Sequence, residues 1–442
     1  MNFVTDYRVE DYILRTRWED LPREVRDRAL VCSVDLMMAL ILGSHGTQFQ
    51  CGRRLAAHVE PGDLTVPGCR DTFSFLGAAI AMGHASNSFD IDDGHNMIKG
   101  HPGTSFIGGL LAAALERDIP YREYLTALVV GYDVAVREGL ALQDHYRFLH
   151  STGTYGAVAT AAVAGRVLGM SREQLNTALS MAEFHAPLTP VMRAVEHPSM
   201  NKDGTPFGVM VGVLAVLDTL GGETACTHLL EAEEYRRLTD TLGREYEILN
   251  LYFKPYTCCR WAHQPIQASI ELMAAQGIAP EDVGHVSVHT FDSAARLSKI
   301  RPRDTDEAQY NIAYPVAAAI IHGDVGYRQV CDEAVHDPRV LAMMDRLSFE
   351  VDPEMERQFP EKRLAWVSFR LKDGRTVNSR VYAADGERDD RVDMAWMERK
   401  FRRITAPFLT PEGQDQVLDL LRGDLERPMS QVVERVNRAL GL

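Results

Sequence analysis

Several stretches of this chain are apolar on every side and built from small residues, and they leave few ways to fold. Gly108-Gly-Leu-Leu-Ala-Ala-Ala114 is the clearest. A segment without a polar face has to be surrounded by protein, and small side chains let helix backbones approach closely. From Pro22 to about Leu42, Val25, Ala29, Cys32, Leu36 and Ala39 recur at helical spacing. There Asp20 is placed to cap and Pro22 suits a first turn. Further helices are expected at about 74–86, 105–116, 121–142, 154–168, 172–184, 206–220 and 265–277. Together they predict a buried, tightly packed helical domain.

The texture changes near residue 280. His285-Val-Ser-Val-His-Thr-Phe291 alternates as a strand does, and Leu347 to Val351 is strand-like too. Trp366 to Leu371, an Asp373-Gly374 turn, and Thr376 to Tyr382 read as a hairpin. A helix at about 310–322 interrupts these strands, and helical pattern returns at about 391–402 and 411–441. The fold class is therefore mainly α. A large all-helical domain (1–278, completed by 389–442) carries a smaller α+β lid domain (279–388). A length of 442 residues suits two domains.

A formal charge of −15 argues against nucleic acid and anionic membranes as partners. It leaves room for a small anionic substrate, because a local cationic pocket can sit in an acidic protein. The start, Met1-Asn-Phe-Val-Thr-Asp6, lacks the basic and apolar regions of a signal peptide, and no apolar run approaches a membrane span. The seven cysteines are odd in number and scattered, without a C-x-x-C spacing. That pattern fits reduced thiols in a cytoplasm.

Between two apolar helical segments lies Asn87 to Thr104, with three carboxylates, two imidazoles, one ammonium and three glycines in 18 residues. Ionisable groups bracketed by buried helices are where catalytic groups sit. Three readings stay open on these residues. One is a solvated, capped turn. The second is a metal site using Asp90, Asp92, Asp93, His95 and His101, although the spacing matches neither a calcium loop nor a zinc helix. The third is an acid–base site for a small polar substrate.

Four other segments carry chemistry. His150-Ser-Thr-Gly-Thr-Tyr155 precedes an Ala-rich helix, where the amides of Thr152 and Gly153 could take an anion. Lys202 stands just before the helix at 206–220; a cation there opposes the helix dipole, so it makes sense facing an anionic ligand. Phe253 to His263 gathers Lys254, Arg260 and His263 among aromatic residues, with a vicinal Cys258-Cys259 pair that reads as small buried residues. In Gln309-Tyr-Asn-Ile-Ala-Tyr-Pro315, Tyr314 could reach a site or pack in a core.

These segments, in this order, resemble the MmgE/PrpD family. The carrying motifs are Asp90-Ile-Asp-Asp93 followed by His101-Pro-Gly103, then His150-Ser-Thr-Gly153, Met200-Asn-Lys202 with Asp203-Gly204, and Lys254-Pro-Tyr-Thr-Cys-Cys-Arg260. The family includes 2-methylcitrate dehydratases, cis-aconitate decarboxylases and an iminodisuccinate epimerase. The resemblance implies a helical domain with an α+β lid, a site in the cleft between them, a homodimer, and chemistry without metal or organic cofactor. By motif match it places Asp90, His101, His150, Lys202, Lys254 and Tyr314 in the catalytic site. This sequence departs from the family pattern at Asn87, where a histidine usually stands, at Gly94, where many members have Thr, and at Lys99 just before His101. All three fall in the substrate-facing loop.

The implied activity is a cofactor-independent lyase reaction on a small di- or tricarboxylate. Dehydration of a 2-methylcitrate-like hydroxy acid comes first, with decarboxylation or epimerisation as alternatives and a metal-dependent hydrolase as the different class. Removing a proton beside a carboxylate builds an enediolate-like dianion that needs cations around it. Lys202, Lys254, Arg260 and His263, with Thr152 and Gly153, are the expected substrate-binding groups. His101 and His150 are the expected proton-transfer pair, Asp90 orients or polarises a histidine, and Tyr314 donates from the lid.

Overall fold

The computed structural model describes residues 2–442. Its principal helices are α1 (Arg23–Gly43), α2 (Phe75–Ser86), α3 (Pro102–Glu116), α4 (Tyr121–Tyr146), α5 (Thr152–Leu168), α6 (Arg172–His185) and α7 (Thr205–Leu220). After them come α8 (His263–Gln276), α9 (Ala313–His322), α10 (Met394–Thr405), α11 (Pro411–Arg422) and α12 (Met429–Ala439). Every residue of α3 up to Leu115 is buried, as its missing polar face requires. Helices α2, α3, α5 and α7 pack on one another through small residues. A side chain at Gly153 would stand 2.2 Å from the Gly204 carbonyl oxygen, and one at Gly208 would stand 2.5 Å from that of Gly153. The α5–α7 contact therefore exists only with glycine at both positions.

The sheet uses β1 (Val283–Thr290), β2 (Leu347–Val351), β3 (Leu364–Leu371), β4 (Thr376–Asn378) and β5 (Tyr382–Ala383). The strand order is β2–β1–β3–β4, with β5 also paired to β3. β1 runs parallel to β2 and antiparallel to β3, with Val288 opposite both Phe349 and Val367. Helices α8 and α9 pack on each other, and α8 covers β3. The α10 helix returns to pack on α1, and α12 on α3 and α4. The chain is mainly helical with a smaller α+β part, as its texture indicates.

Local differences have local causes. Asp20 caps nothing; Pro22 is the residue that precedes α1. The expected helix at 310–322 is two helices, Thr305–Gln309 and α9, with the Asn311 side chain accepting from the Tyr314 N–H at 2.8 Å. The expected 411–441 helix is broken between α11 and α12, where Gly423 and Pro428 stand. Among the described residues, no single helix is long and apolar enough to cross a membrane.

Candidate active site

The loop Asn87–Asp93 leaves α2 and turns its carbonyls into the protein. Buried carbonyls need donors, and three buried ammonium groups supply them. Lys202 Nζ donates to Asn87 O (2.7 Å), Ser88 O (2.6 Å) and Gln309 Oε1 (2.7 Å). Lys254 Nζ donates to Asp90 O (2.8 Å) and Asp90 Oδ1 (2.7 Å). Lys400 of α10 donates to Ile91 O (2.8 Å) and pairs with Asp35. Asp90 has φ +49°, a left-handed conformation for a non-glycine residue, and the two Lys254 bonds hold it there. Burial lowers the pKa of Lys202 even though Asp306 lies 3.5 Å away. For Lys254, burial opposes the charge, but Asp90 and Asp92 outweigh it and raise the pKa.

What this clamp positions is His101, which precedes α3. Its Nδ1 lies 3.0 Å from the Asp93 carbonyl oxygen and 3.2 Å from Asp92 Oδ2. Both are acceptors, so Nδ1 carries a proton. Its Nε2 faces Asp90 Oδ1 at 3.5 Å and Asp203 Oδ2 at 3.6 Å. Burial and Lys254 push against a charged ring; Asp92 and Asp90 win and hold its pKa at about 9. At neutral pH, His101 is an imidazolium. Asp92 also accepts from Asn87 Nδ2 (2.9 Å) and Thr104 Oγ1 (3.0 Å). Burial tends to raise its pKa, but His101 and Lys254 keep it well below the ordinary value. Asp93 accepts from the Gly103 N–H (3.1 Å) and the Tyr132 hydroxyl, while burial and the charges of Asp35 and Asp92 lift its pKa to about 7. A side chain at Gly103 would fall 2.1 Å from Asp93 Oδ2, so this approach of α3 to the loop requires glycine.

A cavity of about 70 Å³ opens on His101, Asp90 and Asp203. One wall is apolar, with Leu149, Val191, Met192, Trp261 and Phe359. Burial raises the pKa of Asp203, which takes a bond from Thr152 Oγ1 at 3.2 Å, and the Tyr310 hydroxyl lies 3.5 Å from its other oxygen. The cavity adjoins a larger cleft of about 830 Å³, with Lys99 and Arg363 lining both.

The structure distributes the sequence-derived candidates unevenly. It brings Asp90, His101 and Lys254 together, with Lys254 behind Asp90 rather than on the cavity surface. All three Lys202 donors are taken by the protein, so that ammonium clamps the loop instead of facing a ligand. The helix-dipole argument misses that carbonyls at the end of α2 attract it. His150 is buried one layer back: its ring lies 6.2 Å from that of Tyr155, whose hydroxyl meets Thr152 Oγ1 at 3.3 Å. Its Nε2 has no partner, and burial lowers its pKa. The Gly153 amide is taken by Asp203 O (2.9 Å), and Thr152 Oγ1 accepts from the His101 N–H (3.3 Å). Both support the site from behind. Arg260 lines the cavity but gives its donors to Asp385 O (3.0 Å), Ala384 O (3.3 Å) and Glu387 Oε1 (2.7 Å). His263 is buried against Cys258 O (2.9 Å), and burial with Arg260 pushes its pKa well below the ordinary value. Tyr314 donates to Gln329 O at 2.7 Å and does not reach the cavity; Tyr310, four residues earlier, does. Burial lifts the Cys259 thiol to about 12, which removes it as a nucleophile.

Of the five residues in the metal reading, Asp90, Asp92 and His101 bring ligand atoms within 4.8 Å of one another. The Lys254 ammonium already occupies Asp90 Oδ1, and a cation beside it would be repelled. Asp93 and His95 are turned elsewhere, His95 Nε2 to Glu247 at 3.4 Å.

Two domain models of one family match the chain in succession. The MmgE/PrpD N-terminal domain covers residues 8–244 and the MmgE/PrpD C-terminal domain covers residues 256–424. The chain belongs to the MmgE/PrpD family. Full-length relatives of this MmgE/PrpD chain include the cis-aconitate decarboxylase-like protein oryM of Aspergillus oryzae, 24% identical over 93% of this chain and 95% of the relative. A 2-methylcitrate dehydratase of Cupriavidus necator is 22% identical over 93% and 91%. A human cis-aconitate decarboxylase is 22% identical over 79% and 77%.

Proposed function

We propose that this MmgE/PrpD chain is a cofactor-independent lyase for a small di- or tricarboxylate, dehydrating a 2-methylcitrate-like hydroxy acid. The observation that carries the reading is His101, held cationic with Nε2 at the cavity beside two carboxylates. An imidazolium aimed at a bound hydroxy acid supplies the proton that a departing hydroxyl needs. Asp203, whose pKa burial raises, is the neighbouring base for the proton beside the carboxylate. The imidazolium stabilises the enediolate as it forms. Relatives that carry dehydratase and decarboxylase names support a lyase over a hydrolase.

A second reading, decarboxylation, is favoured by the apolar residues that line the cavity with His101. A carboxylate pressed against Trp261 and Phe359 loses solvation and leaves more readily as carbon dioxide, while His101 protonates the carbon left behind. Incubation with hydroxy-polycarboxylates and their unsaturated counterparts, followed by proton NMR and trapping of carbon dioxide, separates the two. An unsaturated acid without carbon dioxide supports dehydration, and carbon dioxide with a shortened acid supports decarboxylation. Turnover of neither class overturns the lyase assignment.

A further inference from the structure

We propose that Lys99 and Arg363 form the clamp that selects a polycarboxylate, holding a carboxylate remote from the reacting carbon. The inference rests on the lyase reading and assigns its recognition groups. Few of the buried cations have donors to spare. Lys202, Lys254 and Lys400 are committed to the Asn87–Asp93 loop, and Arg260, although its Nε too is unpartnered, is committed to Glu387 and three carbonyls. Arg363 is different. It is 7% exposed, yet among the described residues no carboxylate lies within ion-pair distance of it; Glu387, paired with Arg260, feels its charge only from further away. Its one hydrogen-bond acceptor is Asn96 Oδ1, and its Nε is buried without any partner. Its guanidinium carbon sits 5.6 Å from the centre of the Tyr252 ring. A buried guanidinium so poorly compensated is costly to maintain, and a ligand anion is what would complete it.

Lys99 is half-buried and also has donors to spare. Among the described residues its ammonium has neither a carboxylate nor a hydrogen-bond acceptor, and its backbone is left-handed at φ +51°. Lys99 and Arg363 both line the inner cavity and the outer cleft, so they mark the neck between them. They also come from opposite sides. Lys99 belongs to the loop that precedes His101, and Arg363 leads into β3. A carboxylate bound by both ties the sheet-bearing part to the catalytic loop and leaves the rest of the molecule pointing towards His101 Nε2. A monocarboxylate that spends its only charge at the neck has none beside the reacting carbon, so at least two carboxylates are required.

The test uses tricarballylate, which has no hydroxyl to lose, and its dimethyl ester, which keeps a single carboxylate. Isothermal titration of the full chain compares wild type with Lys99→Met, Arg363→Met and Arg363→Lys. Wild type is expected to prefer tricarballylate to the ester by at least tenfold. Each Met variant should weaken tricarballylate at least tenfold and lose the preference, and Arg363→Lys should regain part of it. In turnover, KM should rise more than kcat falls. Unchanged tricarballylate affinity in folded Lys99→Met and Arg363→Met, or no binding to wild type, overturns the clamp. If Arg363→Met does not fold, Lys99→Met and Arg363→Lys decide. Wild type that binds tricarballylate but converts no polycarboxylate refutes the lyase reading and leaves the clamp standing. Normal turnover in both Met variants refutes the clamp and leaves the lyase reading standing.

Discussion

Asp92→Asn removes the charge that does most to keep His101 protonated, at almost constant volume. Asp92 Oδ2 lies 3.2 Å from His101 Nδ1. Two unit charges at that separation attract by roughly 5 kcal/mol at an effective dielectric of about 20, equivalent to between roughly three and four pKa units. Burial and Lys254 oppose the ring's charge, and the remaining attraction from Asp90 is weaker, so His101 should fall from about 9 towards or below its ordinary value of 6.5. A proton donor has to hold its proton, so kcat declines as pH rises through this pKa. The wild-type basic limb is expected near 9, and the Asp92→Asn limb at about 7.5 or lower. The same linkage adds stability to the wild type that is complete below 6.5 and lost as pH climbs through about 9. The asparagine keeps a carbonyl oxygen for Asn87 or Thr104, so the fold should persist, which circular dichroism checks. A folded, active variant with an unmoved basic limb would refute the reasoning.

Other outcomes follow from the same contacts. Lys202→Met removes the three ammonium bonds to Asn87 O, Ser88 O and Gln309 Oε1 and leaves the buried Asp306 without its cation, and should cost about 3–5 kcal/mol in urea unfolding; a loss below about 1 kcal/mol would mean that the loop is not clamped. His101→Gln should lower turnover about 10²–10⁴-fold and also lower the melting temperature, because the buried Asp92 loses its imidazolium partner, measured by kcat and thermal melting. Dialysis against EDTA should leave activity unchanged, and loss restored by one divalent metal would revive the metal reading. The outer face of α7 exposes Phe207, Leu214, Leu217 and Leu220. If the homodimer that the resemblance implies uses this face, Leu214→Glu with Leu217→Glu should yield monomers in light scattering; a monomeric wild type contradicts this.

Much of this architecture is legible in the sequence because burial writes itself into composition. Segments such as α3, which lack any polar face, have only one place to go. The hairpin is legible because Asp373-Gly374 specifies its turn and Gly374 adopts φ +92°. Dense ionisable chemistry singles out the Asn87–Thr104 loop, and the structure buries most of it, but sequence does not reveal which side of a lysine faces what. Lys202 and Lys254 look like substrate cations until the loop carbonyls are placed around them. Lys400 leaves a faint signal, a lysine at the apolar spacing of Met397, Phe401 and Ile404. Arg363 leaves none: an arginine before a strand is ordinary until its missing partner is seen. Tyr310 and Tyr314 differ by one helical turn, and only the break at Asn311 decides which one meets the cavity.

The central claim is that His101 is a cation at working pH, poised to donate from Nε2. Nitrogen NMR of the ring-labelled protein, with His101 assigned through His101→Gln, reads this directly. Both ring nitrogens should be protonated at neutral pH and titrate together near 9. A neutral His101 ring at pH 7.5, titrating at or below its ordinary 6.5, would contradict the account.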